Sequence, residues 1–218
     1  MKKNELIEQI TRRRLLEAAG EVFAEQGFRG ATVREICHRA KTNVASVNYH
    51  FRDKETMYAE AVRYWAEIAE RRYPLDKALD AKMPAEDRLR AYILFLLRRL
   101  LDDDRPSWHG SLMAREKADP SGVLDSVVKD FYKPMIDRLR GIVGEIIDHS
   151  ADDSAVLRCA LSIHGQCVYY HHARQVLSRL TSKTGPAHGN IEELAQHIAD
   201  FSLEGLRGFA AKKKAAKR

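Results

Sequence analysis

The sequence predicts an all-α protein, and three observations support this fold class. Apolar residues recur every three or four positions in several long segments, the spacing of one helix face. Residues that favour helix starts, such as Thr32 and Asn43, precede some of these segments. A residue that favours helix ends, Gly27, follows another. Within this class we expect an N-terminal three-helix domain at residues 1–52 and a C-terminal helical bundle at residues 53–218.

The composition of the 218 residues favours a globular protein with a substantial core. Hydrophobic residues make up 44% and charged residues 31% of the chain. No apolar run approaches the roughly 18 residues of a membrane span, and the N-terminus lacks the apolar segment of a secretory signal. The three cysteines do not form a disulfide framework. We therefore expect a cytoplasmic protein that does not associate with a membrane.

Positive charge is concentrated at the two ends of the sequence. The formal net charge is +6, and residues 1–52 hold ten Lys and Arg against six Asp and Glu. The last twelve residues hold six basic residues and no acidic residue, so the long middle is acidic. This distribution suits an N-terminal domain that binds a polyanion such as DNA.

The segment from Thr32 to Phe51 predicts two short helices joined by a polar turn. Thr32 and Glu35 form a capping box, and four apolar residues at i, i+3, i+4 and i+7 follow, namely Val33, Ile36, Cys37 and Ala40. Asn43 is a good N-cap for the second helix, in which only Val47 and Phe51 face inward. A short helix that is polar on most of its surface indicates a helix–turn–helix whose second helix enters a DNA major groove.

Other periodic segments predict the remaining helices. Arg12, Arg13 and Arg14 lie early in the first helix, where phosphate contact and simple solvation are about equally expected. Pro134 lies inside a long helix and should kink or split it. The predicted helices are Glu5–Gln26, Lys54–Arg72, Ala85–Leu101, Trp108–Lys117, Val123–Asp148, Ser154–Leu180 and Ile191–Phe209.

The run from Thr11 to Glu55 resembles the DNA-binding domain of the TetR family of transcriptional regulators. The residues that carry the resemblance are Ala19, Phe23, Gly27 and Phe28, then Thr32, Val33 and Ile36, then Tyr49, Phe51, Lys54 and Glu55. Lys41 stands where the family usually has Gly, and Asn48 stands where it often has an aromatic residue. The segment from Phe95 to Leu180 is similar to the regulatory domain of the CecR-type subgroup.

The resemblance implies a homodimeric transcriptional regulator, usually a repressor, that a small-molecule effector releases from a palindromic operator. It places the second helix of the pair, which includes Ser46, in the major groove. Arg34 would contact guanine, Asn48 adenine, and Val44 or Ala45 a thymine methyl group. The residues expected to hold phosphates are Thr32, Tyr49, His50 and Lys54.

The last two predicted helices carry an apolar pattern with alternating steps of four and three. The pattern consists of Val156, Ala160, Ile163, Cys167, Tyr170 and Leu177, then Leu194, Ile198, Phe201 and Gly205. This spacing favours shallow helix crossings, and Gly165, Gly205 and Gly208 would permit close backbone approach. We expect the pattern to form a dimer interface with a second copy, although core helices of a monomer show the same spacing.

Aromatic and polar side chains in the middle of the chain suggest an effector pocket. The candidates are Trp108, His109, Met113, Phe131, Tyr132, Tyr169 and Tyr170.

We expect no enzymatic activity, no cofactor and no metal. Glu116, beside Arg115, is expected to form an exposed ion pair rather than to act as a general acid. Two alternatives stay open. One is a metalloprotein or enzyme that uses His164, Cys167 and His171, which share one helix face. The other is a helical protein–protein adaptor that retains the helix–turn–helix as a scaffold.

Overall fold

A computed structural model describes residues 2–75, 80–101, 112, 116, 121–180 and 190–216, and all regular secondary structure within these ranges is helical. The all-α prediction is thereby confirmed. No helix in this part of the chain has an apolar stretch long enough to cross a membrane. The helices are α1 (Lys2–Gly30), α2 (Val33–Arg39), α3 (Val44–Phe51), α4 (Lys54–Arg72), α5 (Ala85–Leu101), α6 (Leu124–Val127), a π turn (Val128–Tyr132), α7 (Lys133–Ile147), α8 (Ser154–His172), α9 (Arg174–Leu180) and α10 (Ile191–Ala216).

The chain folds into two compact units. Unit 1 comprises residues 1–69 and 103–131, and unit 2 comprises residues 70–102 and 132–218. Unit 1 therefore includes most of α4 as well as the three N-terminal helices. The functional boundary at residues 52 and 53 stays a prediction.

The core of unit 1 is formed by the apolar stripe of α1 together with the inward faces of α2, α3 and α4. Phe23 of α1 is fully buried and meets the ring of Tyr58 edge to face, with centroids 4.7 Å apart. Gly27 has φ 74°, a conformation that favours glycine, and it interrupts the helical geometry near the end of α1. The fully buried residues contributed by the other helices include Ile36, Val47, Phe51, Met57 and Tyr58.

The core of unit 2 is formed by α5, α7, α8 and α10. Tyr92 on α5 is fully buried there, and burial raises the pKa of its phenol. Exposed ion pairs such as Arg90–Asp200 and Arg98–Glu192, each 2.7 Å long, link the surface of α5 to that of α10. Because exposed pairs contribute only about 0–1 kcal/mol each, apolar burial carries most of the stability of this unit.

Two predicted helices are interrupted in the structure. The helix predicted at Val123–Asp148 contains a π turn that ends at Tyr132, two residues before Pro134, so the expected disturbance of the helix is present as a widened turn. Proline lacks an N–H and its ring opposes the carbonyl four residues earlier, which disfavours regular α-helix at this place. The helix predicted at Ser154–Leu180 ends at His172, and α9 follows with no buried residue. The single-helix prediction was wrong because core contact stops before α9. Of the helix predicted at Trp108–Lys117, only positions 112 and 116 lie within the described residues.

The predicted dimer pattern on α8 faces the core of the chain itself. Val156, Ala160, Ile163 and Cys167 are all buried within unit 2, as are Leu194 and Ile198 on α10. Their assignment to the interface between copies was wrong. The reason is that a 3–4 spacing identifies an apolar helix face but not the element that covers it. Phe201 and Gly205, in contrast, lie exposed on the other side of α10.

Candidate nucleic-acid interface

Local hydrogen bonds fix the turn between α2 and α3. The Thr32 hydroxyl accepts a bond of 3.2 Å from the backbone N–H of Glu35 at the start of α2. The Asn43 side-chain oxygen accepts a bond of 2.9 Å from the backbone N–H of Ser46 at the start of α3. Between these caps Lys41 has φ 51°, in the left-handed region that most residues avoid. The two predicted N-caps thus produce the geometry of a helix–turn–helix, whereas the Glu35 carboxylate of the predicted capping box accepts a bond of 3.3 Å from Arg39.

The fold anchors α3 through two side chains and leaves the others outside. Val47 and Phe51 are buried, one turn apart, against the core of unit 1. The exposed surface of α3, defined here as Val44, Ala45, Ser46, Asn48, Tyr49 and His50, consists of exposed or half-buried side chains. Arg34 is likewise exposed on α2. The structure therefore brings the predicted base-contacting residues onto one accessible helix and its neighbour.

Lys54 has structural contacts that the sequence did not indicate. Its Nζ donates a hydrogen bond of 3.0 Å to the carbonyl of Ala31, the residue before the α2 cap. The same ammonium lies 4.7 Å from the ring centroid of Phe28. Lys54 therefore ties the start of α4 to the start of α2, in addition to its predicted phosphate contact.

The three arginines of α1 have different environments. Arg14 donates a bond of 2.7 Å to the carbonyl of Ala40, which caps the C-terminal end of α2. Arg12 pairs with Glu60 and lies 5.6 Å from the ring centroid of Phe51. Arg13, which like the other two is exposed, forms only a loose ion pair with Glu17, four residues later on the same helix, at 3.9 Å. Two of the three arginines thus hold α1 to the end of α2 and to α3.

Glu116 is buried rather than exposed, contrary to the expectation. Only 1% of the residue is accessible, and its carboxylate accepts a bond of 2.5 Å from the hydroxyl of Tyr58. The backbone N–H and the hydroxyl of Ser121 each donate a further bond of 3.1 Å. These three donors replace the water that the carboxylate loses on burial. Nothing in the local sequence signals this burial, because the Tyr58 donor lies 58 residues away in the chain.

A second exposed surface, which we call the outer face, lies on α8 and α10. Leu161, Gly165 and Tyr169 occupy positions four apart on α8, and all are exposed. On α10 the equivalent series is Phe201, Gly205 and Phe209. The two helices are neighbours at this level, since the Gln166 side chain donates a bond of 3.4 Å to the Ser202 hydroxyl. Beyond its own stretch of helix, a methyl group added at Gly165 or Gly205 would meet no described atom within 4 Å.

The candidate effector residues are only partly within the described part of the chain. Trp108, His109 and Met113 lie outside it. Phe131 and Tyr132 are half-buried in the π turn, and Tyr170 packs against the core of unit 2. Tyr169 is 56% exposed and belongs to the outer face. Their role in effector binding stays a prediction.

A surface pocket not expected from the sequence lies in unit 2. It has a volume of about 460 Å³ and is lined by residues from the end of α7 and the following turn, including Gly144, Glu145 and His149. The Nδ1 of His149 lies 2.8 Å from the carboxylate of Asp153, the N-cap of α8. None of the candidate effector residues that the structure describes lines this pocket.

The alternative metal ligands are not arranged as a metal site. Cys167 is fully buried, and burial raises the pKa of its thiol to about 12, away from the thiolate that binds metal. His164 and His171 are half-buried on the same helix. Among the described side chains, no group of three or more His, Cys, Asp or Glu residues is placed to hold a metal ion.

Two family models match the chain. The model described as "Bacterial regulatory proteins, tetR family" matches residues 15–61, which span the caps and helices of the helix–turn–helix. The model described as "HTH-type transcriptional dual regulator CecR, C-terminal domain" matches residues 85–206, more than half of the chain.

Full-length relatives and a solved structure agree with these matches. The "HTH-type transcriptional dual regulator CecR" of Shigella flexneri is 23% identical over 206 residues, covering 89% of this chain and 92% of the relative. The "HTH-type transcriptional repressor NicS" of Pseudomonas putida is 25% identical over 207 residues, covering 90% and 92%. The structure of AibR in complex with isovaleryl coenzyme A and operator DNA has a TM-score of 0.64 at 17% identity, covering 88% of this chain and 97% of that chain.

Proposed function

We propose a mechanism from one premise: the chain belongs to the TetR family of transcriptional regulators and is a DNA-binding regulator with a CecR-type C-terminal domain. In this mechanism two copies form a homodimer that represses transcription from a palindromic operator. A small-molecule effector bound by the C-terminal domain releases the dimer from the DNA.

The observation that carries the proposal is the exposed surface of α3. The helix is capped by Asn43 and anchored by Val47 and Phe51, so its position is fixed by the core of unit 1. Its remaining side chains offer donors, acceptors and small apolar groups to a partner. In the major groove Asn48 pairs with adenine, Val44 or Ala45 contacts a thymine methyl group, and Arg34 on α2 pairs with guanine.

Phosphate contacts set the position of the helix on the duplex. Thr32, Tyr49, His50 and Lys54 supply them in the proposal. Lys54 also stabilises the fold through Ala31 and Phe28, so removing its side chain affects stability as well as DNA binding. Because both contacts are made by the ammonium itself, a substitution that removes the charge also loses them, and stability must be measured beside DNA binding.

The outer face supports dimerisation through α8 and α10. Its large apolar side chains are exposed in the chain, Phe201 to 67%, and exposed apolar series on adjacent helices are typical of association surfaces. Gly165 and Gly205 lie in the middle of the two series, where they allow the backbones of two copies to approach closely. Two copies related by a two-fold axis then form a four-helix contact and present two α3 helices.

The effector acts in the proposal by favouring one arrangement of the dimer. Operator binding requires two α3 helices in successive major grooves, roughly 34–36 Å apart. An effector that binds better to a dimer with a different spacing weakens DNA binding by the same factor by which DNA weakens effector binding. The π turn supports an effector site near Phe131 and Tyr132, because π turns inside helices are frequent at functional sites.

The proposal gives the protein a binding function without a catalytic step, and places it in the cytoplasm with the DNA. The CecR relative is named a dual regulator and the NicS relative a repressor. We assign repression to this chain because occupancy of an operator by a dimer obstructs transcription when the operator overlaps a promoter.

Selection of bound duplexes from a random DNA pool tests the proposal directly. The expected result is a palindrome whose half-sites are centred about 10 base pairs, or a multiple of this, apart. Light scattering of the purified protein should give the mass of a dimer at micromolar concentration. Selection of no sequence, or a monomeric mass under these conditions, would contradict the proposal.

A further inference from the structure

The helix α3 ends in a strained turn whose central residue is Arg52. The backbone N–H of Asp53 donates a hydrogen bond of 2.7 Å to the carbonyl of Phe51, and Arg52 between them has φ 65° and ψ −52°. This bond and these angles form a γ-turn with positive φ, which is rare and strained. Strain of this kind at a residue with a side chain is concentrated at functional sites, so the turn suggests a function for Arg52.

The fold fixes both neighbours of Arg52. Phe51 is buried in the core of unit 1, with 1% of its surface exposed. Asp53 caps α4, where its carboxylate accepts a bond of 2.7 Å from the backbone N–H of Thr56. Because the chain passes from a buried residue to a helix cap in one step, the side chain between them is left outside the core. The Arg52 side chain is accordingly 91% exposed.

The guanidinium of Arg52 is only weakly engaged within its own chain. Its Nε lies 3.8 Å from the carboxylate of Asp53, which is too long for a hydrogen bond. Hydrogen bonds from Thr56 lower the pKa of the Asp53 carboxyl, so this group stays ionised without help from Arg52. The nearby ammonium of Lys54, in contrast, already bonds to a carbonyl and lies against an aromatic ring. Of these two cations, Arg52 therefore exchanges its partner more easily.

A second cation has a left-handed conformation at the other end of α3. Lys41, in the turn before this helix, has φ 51° and is exposed. Among the described residues that carry a side chain, positive φ occurs only at Lys41, Arg52 and Asp148. Two of these three positions thus flank the helix assigned to DNA binding, and both are cationic. A helix in the major groove lies between two phosphate backbones, so cations beside its ends are well placed for phosphates.

We propose that Arg52 binds a backbone phosphate of the operator beside the C-terminal end of α3, in addition to the phosphate contacts proposed above. This inference rests on the proposed function, because it requires α3 in the major groove. The planar guanidinium presents parallel N–H donors that match two phosphate oxygens. The phosphate takes the place of the Asp53 carboxylate, which keeps its hydrogen bond at the start of α4. Because every duplex carries the same phosphates, the contact raises affinity for all sequences alike.

The test is a DNA titration of Arg52→Gln over a range of salt concentrations, with two probes. One is the palindromic duplex that the wild-type protein selects, and the other is a random-sequence duplex of equal length. Affinity for both duplexes should fall about tenfold at low salt, because each dimer loses two phosphate contacts. The plot of log affinity against log salt should become shallower by roughly 1.8, or about 0.9 for each contact.

Two further variants at the same position separate the charge from the fold. Arg52→Lys keeps the charge, so it should retain the wild-type salt dependence and lose less than about threefold in affinity. Arg52→Gly removes the charge and also the strain, so it should bind as weakly as Arg52→Gln while its melting temperature exceeds that of wild type. A variant that is more stable but binds DNA more weakly has not lost affinity through unfolding.

Arg63→Gln is the matched control. Arg63 is an exposed arginine of α4 that lies nine residues after Lys54, roughly 14 Å along the helix. This distance exceeds the screening length of about 10 Å at 0.1 M salt, so the substitution should change affinity less than about twofold. Circular dichroism should show all of these variants to be folded, since both positions are exposed.

The inference is overturned if Arg52→Gln binds both duplexes as tightly as wild type with an unchanged salt dependence. It is also overturned if Arg52→Lys flattens the salt dependence to the same extent, or if Arg63→Gln gives an equal loss. Failure of the proposed function looks different, because the wild-type protein would then select no duplex at all.

Discussion

The exposed surface of α3 and the outer face of α8 and α10 differ in chemistry, although both belong to helices with well-buried inner sides. On α3 the exposed side chains are mostly polar, and two buried residues hold the helix. On α8 and α10 the exposed series is apolar and includes glycines, while a separate apolar series fills the core. The exposed side chains of each surface therefore lie outside the core of their own unit.

The difference shows which partner each surface suits. Polar groups on a short helix lose little by staying hydrated and gain by pairing with base edges, which present donors and acceptors in fixed patterns. Exposed Phe, Leu and Tyr side chains gain instead by removal from water, at roughly 25 cal/mol per Å² of apolar area. The polar surface is therefore suited to DNA, and the apolar surface to a second copy of the chain.

The largest effect is expected when the outer face is made polar. Phe201→Asp places a charge where two copies meet and should convert the dimer into a monomer, measured by light scattering. A monomer binds one half-site only, so operator affinity should fall about 100-fold or more in a fluorescence titration. Met83→Asp, at an exposed apolar residue of comparable character outside the outer face, serves as the control and should remain dimeric. If the Phe201→Asp protein is still a dimer, the outer face is not the contact between two copies.

A smaller effect is expected at the polar surface. Asn48→Ala removes the amide that pairs with adenine, so preference for the selected base should decline by about 1–3 kcal/mol while non-specific binding stays unchanged. Lys54→Met keeps a side chain of similar length but removes the ammonium that contacts Ala31 and Phe28, so it should weaken all duplexes alike and flatten the salt dependence. Binding to a panel of duplexes with single base changes separates the two patterns. Equal losses on all duplexes for Asn48→Ala would contradict a base contact.

The buried hydrogen bond between Tyr58 and Glu116 should contribute more to the stability of unit 1 than the exposed hydroxyl of Tyr49 on α3 does. Tyr58→Phe removes a donor from the buried Glu116 carboxylate and should lower the free energy of unfolding by about 1–3 kcal/mol. Urea denaturation followed by circular dichroism measures the change. Tyr49→Phe removes a hydroxyl at an exposed position and should change stability by less than about 0.5 kcal/mol. Equal stability of the two variants would mean that the Tyr58–Glu116 bond contributes nothing.

The smallest expected effect concerns a glycine of the outer face. Gly205→Ala adds a methyl group that meets no described atom beyond its own stretch of helix, and it raises helix propensity by about 1 kcal/mol. Stability measured under conditions that favour the monomer should therefore increase. If the backbones of two copies approach closely at this position, the same substitution weakens the dimer, which sedimentation equilibrium detects. A tighter dimer would show that the glycine is not needed for close approach.

The sequence predicts most of the helices because their signals are local. The bounds of α4 and α5 agree with the prediction, since a capping residue at Asp53 and the apolar period of each segment determine them. The helix–turn–helix follows in the same way from Thr32 and Asn43, whose side chains cap the helices they precede.

Features that depend on tertiary contacts could not be predicted. Burial of Glu116 requires a donor 58 residues away, and the fold contacts of Lys54 require a carbonyl 23 residues away. The sequence shows the apolar period on α8. Because this helix has two faces with apolar residues, the period alone does not tell which face packs against the core of the same chain. The outer face was therefore recognised only in part, through Phe201 and the glycines.

The backbone conformation of Lys41 lowers the stability of the turn before α3. Its left-handed conformation in the turn before α3 costs a side-chain-bearing residue roughly 1–2 kcal/mol relative to an ordinary conformation, whereas glycine adopts it freely. Replacement by glycine should thus raise the melting temperature, but it would also remove one positive charge beside the DNA-binding helices. A melting curve and a DNA titration of the Lys41→Gly variant would therefore measure separately the conformational cost of this turn and the contribution of its positive charge.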